Sequence, residues 1–202
     1  MIQHIEINKS KKDRPNINLT VTRCEPNIWQ DLGFEKHHYL TPSLNKSCKC
    51  LLFQWNDVPV AFVALLNTPR KGVRFGHAIS RIVILPEFQG LGLSTFLLNF
   101  CGGILKSLSD EHFLYIKTIH DKMGESLERN VNWSPTSYNG KMRNENAITA
   151  EGNKYKNRLQ RKSYCFKYIG DAIYGYEELL SPINDLRDKK NTSYKQLTLN
   201  LY

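Results

Sequence analysis

The sequence has no apolar run long enough to cross a bilayer. A spanning helix needs roughly 20 consecutive apolar residues, and the most apolar stretch, Val58–Leu66, is closed off by Asn67, Thr68, Pro69 and Arg70. The opening residues Met1–Pro15 are polar and basic and lack the apolar centre of a signal peptide. The expectation from these absences is a cytoplasmic protein with no membrane partner. Cysteine is sparse and odd in number: Cys24, Cys48, Cys50, Cys101 and Cys165. Such a dispersed set does not read as a disulfide framework, and most of these thiols sit in apolar stretches where cysteine acts as a small hydrophobe. Cys48-x-Cys50 puts two thiols on one strand face, not far in sequence from His37 and His38. The spacing is not that of a zinc knuckle, a buried strand explains it better, and no metal ligand is assigned. Internal repeats and coiled-coil heptads are absent too. Acidic residues are in the minority, with 19 Asp and Glu against 28 Lys and Arg, a net charge of +9 and a pI of about 9.3. Such a balance favours an acidic partner, whether nucleic acid or an anionic cofactor.

Hydrophobic residues make up 41% of the 202 residues and aromatics 11%, enough for one packed domain. The alternation of Ile17–Cys24 predicts a strand, and Asn27–Leu32 a short helix. Phe34–Leu40 reads as a loop or short helix bearing a His pair. Cys50–Trp55 and Pro59–Leu66 read as a hairpin turning at Asn56-Asp57. Ala78–Leu85 is a branched, apolar strand ended by Pro86. A helix over Gly92–Leu105 follows, with Leu93, Phe96, Leu97, Phe100 and Ile104 as its stripe and Gly102-Gly103 weakening its last turns. His112–Ile119 reads as a strand, Asp121–Asn130 as a helix with Asp121 able to cap it, and Ser163–Ile169 as a late strand. The fold class expected is α/β (α+β), a mixed and mostly antiparallel sheet flanked by helices. The domain is expected over 15–180, between a basic tail, 1–14, and a charged tail, 181–202. The second tail closes in the alternating Gln196–Tyr202, an edge strand or an arm donated to a second copy in a homodimer.

The chemistry centres on Ser80–Thr95 (SRIVILPEFQGLGLST), a strand stopped by proline whose glycine loop opens straight into a helix. Gly90 and Gly92 permit positive φ and close approach of a ligand, and the helix start offers unpaired N–H groups at the positive end of its dipole. A pyrophosphate satisfies both. The pattern is neither G-x-G-x-x-G nor a Walker loop. Gln89-Gly90-Leu91-Gly92-Leu93-Ser94 after Ile82-Val83-Ile84-Leu85-Pro86 resembles the Q/R-x-x-G-x-G/A motif of the GNAT superfamily of N-acetyltransferases. Ser94 departs mildly from the Gly or Ala at the last position. The resemblance implies acetyl-CoA as acyl donor, with Ile82, Val83 and Ile84 along the pantetheine. It implies Gln89, Gly90, Leu91, Gly92, Leu93, Ser94 and Thr95 around the pyrophosphate, and a strand splay near Val83-Ile84 that offers an N–H to the thioester oxygen. His120 stands where the family often has an Asn that contacts the cofactor arm; it plays that part or caps the helix. Arg81, His37-His38-Tyr39-Leu40, LERNVNW (127–133) and RKSYCFKY (161–168) are similar to a narrower group, the phage and mobile-element enzymes like Mom of phage Mu, which modifies adenine in DNA.

The family often takes its general acid from a tyrosine in the helix Asp121–Asn130, and this helix has none. Tyr138 or Tyr164 swinging in, or water, are the alternatives. His37 and His38 are the candidate bases, because histidine titrates near neutrality. The stretch Lys141–Lys167 holds eight Lys and Arg against Glu145 and Glu151, interleaved with Tyr155, Tyr164, Phe166 and Tyr168. It suits contact with DNA or RNA, or serves as a solvated loop beside the cofactor phosphates. Three readings stand: an N-acyltransferase whose acceptor amine is on or near nucleic acid, a degenerate fold that only binds nucleic acid, and a small-molecule N-acetyltransferase. Few carboxylates cluster, which counts against polycationic acceptors.

Overall fold

The computed structural model describes residues 17–38, 43–69, 71–143, 161–180 and 195–199. The strands are β1 (Ile17–Cys24), β2 (Lys49–Trp55), β3 (Val58–Asn67), β4 (Phe75–Ile84), β5 (His112–Thr118), β6 (Trp133–Pro135), β7 (Lys141–Arg143), β8 (Arg161–Tyr168) and β9 (Lys195–Leu199). The helices are α1 (Ile28–Asp31), α2 (Leu93–Lys106) and α3 (Asp121–Glu128), with 3-10 turns at Phe34–His37, Pro86–Phe88 and Glu177–Leu180. All described strands join one sheet in the order β6-β8-β5-β4-β3-β2-β1-β9, with β7 also on β8. Every pair is antiparallel except β4–β5. This is the mixed, mostly antiparallel sheet flanked by helices that the element order predicts.

Local sequence accounts for most elements. Asn56 and Asp57 both take positive φ, 48° and 64°, the conformation of a two-residue turn whose twist matches that of the flanking strands. β4 starts at Phe75, three residues before the expected Ala78, because polar His77 and small Gly76 hide an otherwise regular strand start. β9 pairs with β1 of its own chain, Ile17 opposite Leu199 and Val21 opposite Lys195. The alternating C-terminal segment is thus a sheet edge, and nothing in this pairing calls for a second copy. Lys141–Arg143, at the start of the stretch read as a nucleic-acid contact or a solvated loop, forms a strand on β8; residues 144–160, like the tails 1–16 and 181–194, lie outside the described residues.

Two apolar layers sandwich the sheet. On one face α2 buries Leu93, Leu97, Phe100 and Ile104 of the expected stripe, with Phe96 half-buried beside them, against Leu19, Phe53, Val63 and Ile116. On the other face Trp29 and Phe34 close over Phe62, with ring centroids at 5.3 and 5.5 Å, and Cys48, Cys50 and Val83 complete the layer. Trp133 is buried, and its Nε1 donates to Asn99 Oδ1 at 2.8 Å, so it packs rather than stacks on a ligand. Gly102, read as a weak point of α2, is a contact point: a Cβ there would run into the ring of Tyr168. Substituting Ala raises intrinsic helicity by up to about 1 kcal/mol, but overpacking a fixed ring costs about 1–3 kcal/mol. Gly102→Ala is therefore expected to lower thermal stability by a few degrees; a raised melting temperature in a thermal scan would contradict the packing described.

Candidate active site

β4 and β5 are paired only from Phe75–Ala78 to His112–Tyr115. Beyond Ala78 they part, although β4 runs on to Ile84 and β5 to Thr118. The cause lies in the neighbouring ladder. Ala64 of β3 opposes Arg81, and Leu65 opposes Ile79, so Ser80 is an extra residue without a partner. A bulge of this kind bends and twists its strand, and here it carries the second half of β4 away from β5. The splay therefore begins at Ile79, not near Val83-Ile84 as the motif alone suggests. Past the bulge, alternate residues of β4 turn their N–H and C=O into the gap with no strand to receive them.

The strand leads through Pro86–Phe88 into the glycine turn. Gly90 and Gly92 have φ of 85° and 80°. Gly92 is the N-cap of α2 and no side chain caps that end. The first helical bond runs from Phe96 N to Gly92 O at 3.4 Å, so the amides of Leu93, Ser94 and Thr95 lack intrahelical acceptors. Nothing lies within 4 Å of where a Cβ on Gly90 or Gly92 would stand. These are the elements of an oxyanion cradle. Leu91 and Leu93 are buried and contribute backbone alone. Gln89 contributes no free side chain, since its Nε2 donates to Ile84 O at 2.9 Å and ties the turn to the end of β4. Thr95 Oγ1 lies 3.0 Å from Ser126 Oγ, fastening the first turn of α2 to α3.

A cleft of about 470 Å³ runs from this turn along Ile82, Val83 and Ile84 to Arg81, His37 and His38, with Ile116–Thr118, His120 and Lys122 on its other wall. An open N-terminal amide cradle at one end and an unpaired strand edge along the side fit the diphosphate and the amide-bearing arm of an acyl-CoA. His120 lines the cleft and is itself the N-cap of α3: its Nδ1 accepts the Met123 N–H at 3.3 Å. A neutral ring in that role carries its proton on Nε2, as a donor. Asp121, expected to cap, instead accepts the hydroxyl of Tyr164 at 3.2 Å.

His37 ends, and His38 follows, the turn that Phe34 anchors in the second apolar layer. His38 lies edge-on to Trp29 at 5.7 Å, and burial, with help from the Arg81 cation, lowers its pKa to about 4. Its ring is neutral across the neutral range and only weakly basic. A weak base can still take a proton from an amine that has bonded to a carbonyl carbon, because that nitrogen becomes acidic. The two tyrosines part company. Tyr164 is buried with its ring against Gly124, bonds Asp121, and does not line the cleft. Tyr138 is exposed, with Lys141 Nζ 4.8 Å over its ring, and lines a second hollow of about 350 Å³ with Tyr115 and Cys165. Ile79, Ile116 and Lys117 border both cavities, so the gap between β4 and β5 opens toward both. Sequence reasoning missed Lys117 and Lys122, which carry no motif, and gave Arg81 no role. Among the described residues no group of three or more His, Cys, Asp or Glu side chains is placed to hold a metal ion, and no helix is long and apolar enough to cross a membrane.

The model of the acetyltransferase (GNAT) family matches residues 16–123, just over half of the sequence. The chain belongs to this family. It is an acyltransferase, and its donor is acetyl-CoA. Solved GNAT-type structures share its fold. The ribosomal-protein-S18-alanine N-acetyltransferase from Escherichia coli superposes with a TM-score of 0.53 at 13% identity, covering 78% of this chain and 96% of its own. An acetyltransferase from Bacillus subtilis, solved in complex with CoA, gives 0.52 at 15% identity, covering 75% and 99%. Spermidine N-acetyltransferase from Vibrio cholerae, with CoA and spermine, gives 0.53 at 11% identity, covering 75% and 95%. No curated protein matches. In this acetyltransferase, bound acetyl-CoA would supply the activated acyl carbon. The residues that would hold it are the Gly90–Thr95 turn, whose free amides would meet the diphosphate, and β4 beyond Ala78, whose unpaired edge would align the arm.

The histidines set a pH signature. The folded-state pKa of His38 and that of His77 are both depressed to about 4, in each case chiefly by burial. The unfolded chain then binds more protons than the folded one between about pH 4 and the free imidazole value near 6.5. Their contribution to stability is therefore fully present above about pH 6.5 and is lost as the pH falls toward 4. In an NMR titration the His38 ring proton is expected to move near pH 4; a midpoint near 6.5 would contradict the burial described.

Proposed function

We propose that this acetyltransferase transfers acetyl to an amine carried on or held beside nucleic acid, with His38 receiving the amine proton directly or through His37. The observation that carries the reading is the character of the surface around the second hollow. Lys117 and Tyr138 border it, Lys141 caps Tyr138, and Lys167 Nζ sits 3.7 Å over the Phe113 ring. Cations seated on aromatic rings, one beside the second hollow and one on the adjoining β5–β8 surface, supply both phosphate attraction and stacking faces. On β8, Lys167 shares this face with Lys141, which pairs with Ser163; Lys162 points to the other face, where it lies over Tyr164 and pairs with Glu128 at 3.3 Å. The narrower likeness to Mom-like enzymes, carried by His37-His38 and by the β8 segment RKSYCFKY, points the same way. In this reading Tyr138 is the candidate acid for the departing thiolate. A small-molecule acceptor of polycationic type finds little support, since the described cleft is bordered by Arg81, Lys117 and Lys122 rather than by carboxylates.

Two measurements bear on this. Gly92→Glu puts a negative side chain into the cradle at a left-handed position, and acetyl-CoA affinity by calorimetry is expected to fall roughly 100-fold or more; an unchanged affinity would remove the cradle assignment. For the acceptor, DNA and tRNA are incubated with isotopically labelled acetyl-CoA and enzyme and digested for mass spectrometry. Label on a nucleoside, with binding that weakens steeply as salt rises, is the expected result. Label confined to protein or free amines, with no nucleic-acid binding at low salt, would contradict the nucleic-acid reading.

A further inference from the structure

Arg81 is the one charged residue in the segment Ala78–Leu85 (AISRIVIL), where every other residue but Ser80 is apolar. It comes directly after the bulged Ser80 and is therefore placed where β4 leaves β5. Its guanidinium is fixed at two points by backbone: Nη1 donates to Ser80 O at 2.8 Å and Nη2 to Ser43 O at 3.1 Å. Both acceptors are neutral. Among the described residues no carboxylate pairs with it, and its Nε is buried without a hydrogen-bond partner. A partly desolvated cation whose planar fork is already held in place, with an N–H left unused, is costly until an anion meets it.

The cofactor's diphosphate does not fill this need. Arg81 stands three strand residues, roughly 10 Å, before the Ile84 carbonyl to which Gln89 fastens the glycine turn. It lines the opposite stretch of the same cleft, with Ser80 and His38, and its charge adds to the depression of the His38 pKa, so the two groups are within electrostatic reach. We propose that Arg81 determines acceptor specificity by binding an oxyanion, a phosphate or a carboxylate, that the acceptor carries close to its amine, thereby setting that amine beside His38. The proposal rests on the cleft being the acetyl-CoA site, and its phosphate form deepens the nucleic-acid reading. Lysine is a poor substitute, because a point charge lacks the planar fork that matches two oxygens of one anion.

Protein saturated with coenzyme A has its diphosphate cradle filled, so a second oxyanion is read separately. Inorganic phosphate and, in a parallel experiment, acetate are titrated calorimetrically into the coenzyme A-saturated protein. Wild type is expected to bind one of them, and the anion bound identifies the source, phosphate or carboxylate. Arg81→Gln is expected to weaken that binding roughly tenfold or more while leaving coenzyme A affinity within about twofold. Should Arg81→Gln lose coenzyme A binding with its fold, Arg81→Lys decides, with a smaller loss of anion binding expected on an intact cofactor site. Anion binding that is unchanged in the variant that keeps coenzyme A, or absent from wild type, overturns the proposal. A wild type that fails to bind coenzyme A overturns the cleft reading and this proposal with it. Loss of the nucleic-acid reading alone would show as no nucleic-acid binding with the Arg81-dependent anion binding intact.

Discussion

The ladder between β4 and β5 stops at Ala78, and the site is built on that interruption. One extra residue, Ser80, breaks the register with β3 and redirects β4, so the only parallel pair among the described strands opens into a wedge. A parallel pair suits this role. Its two strands run the same way, so both can end on the same side of the sheet, where the glycine turn and the start of α3 then face each other. Thr95 and Ser126 join at 3.0 Å, which fastens the first turn of α2 to the second turn of α3. In the proposed reading, the diphosphate cradle, the unpaired strand edge and the acceptor end are thus positions along one strand and its exit loop.

An open wedge leaves backbone groups unpaired, and each buried one costs of order 1–3 kcal/mol if nothing meets it. The surrounding structure is stiff enough to sustain this. α2 buries a full apolar stripe on one face, Trp29, Phe34 and Phe62 pack on the other, and β1 is paired on both sides by β2 and β9. The same stiffness fixes Arg81 between two carbonyls and presses His38 toward Trp29. Polar groups are held ready without mutual neutralisation, the arrangement of a surface that awaits a charged ligand.

Much of this was legible in the residues. Alternation in Ile17–Cys24, the Asn56-Asp57 turn, the stripe of α2 and the QGLGLS turn each state their structure locally, and the cradle follows from two glycines and a helix start. Other features were not legible because they depend on partners distant in sequence. Nothing in SRIVIL marks Ser80 as a bulge; that follows from the register with Ala64 and Leu65. Tyr164 could be offered as an acid only while its packing on Gly124 and its bond to Asp121 were unknown. His120 shows itself as a cap, and Gly102 as a contact point, only when α3 and Tyr168 are in place. Arg81 did leave a signal, a lone cation in a branched strand, whose meaning required the two carbonyls that hold it.

The central claim is that the β4–β5 wedge and the first turn of α2 receive acetyl-CoA. Backbone amide NMR of the labelled protein during titration with acetyl-CoA tests it most directly. The account predicts the largest shifts at Gly90, Gly92, Leu93, Ser94 and Thr95 and along Ile82–Ile84, with β1 and β2 little changed. Saturable shifts centred elsewhere, with those amides unmoved, would contradict it.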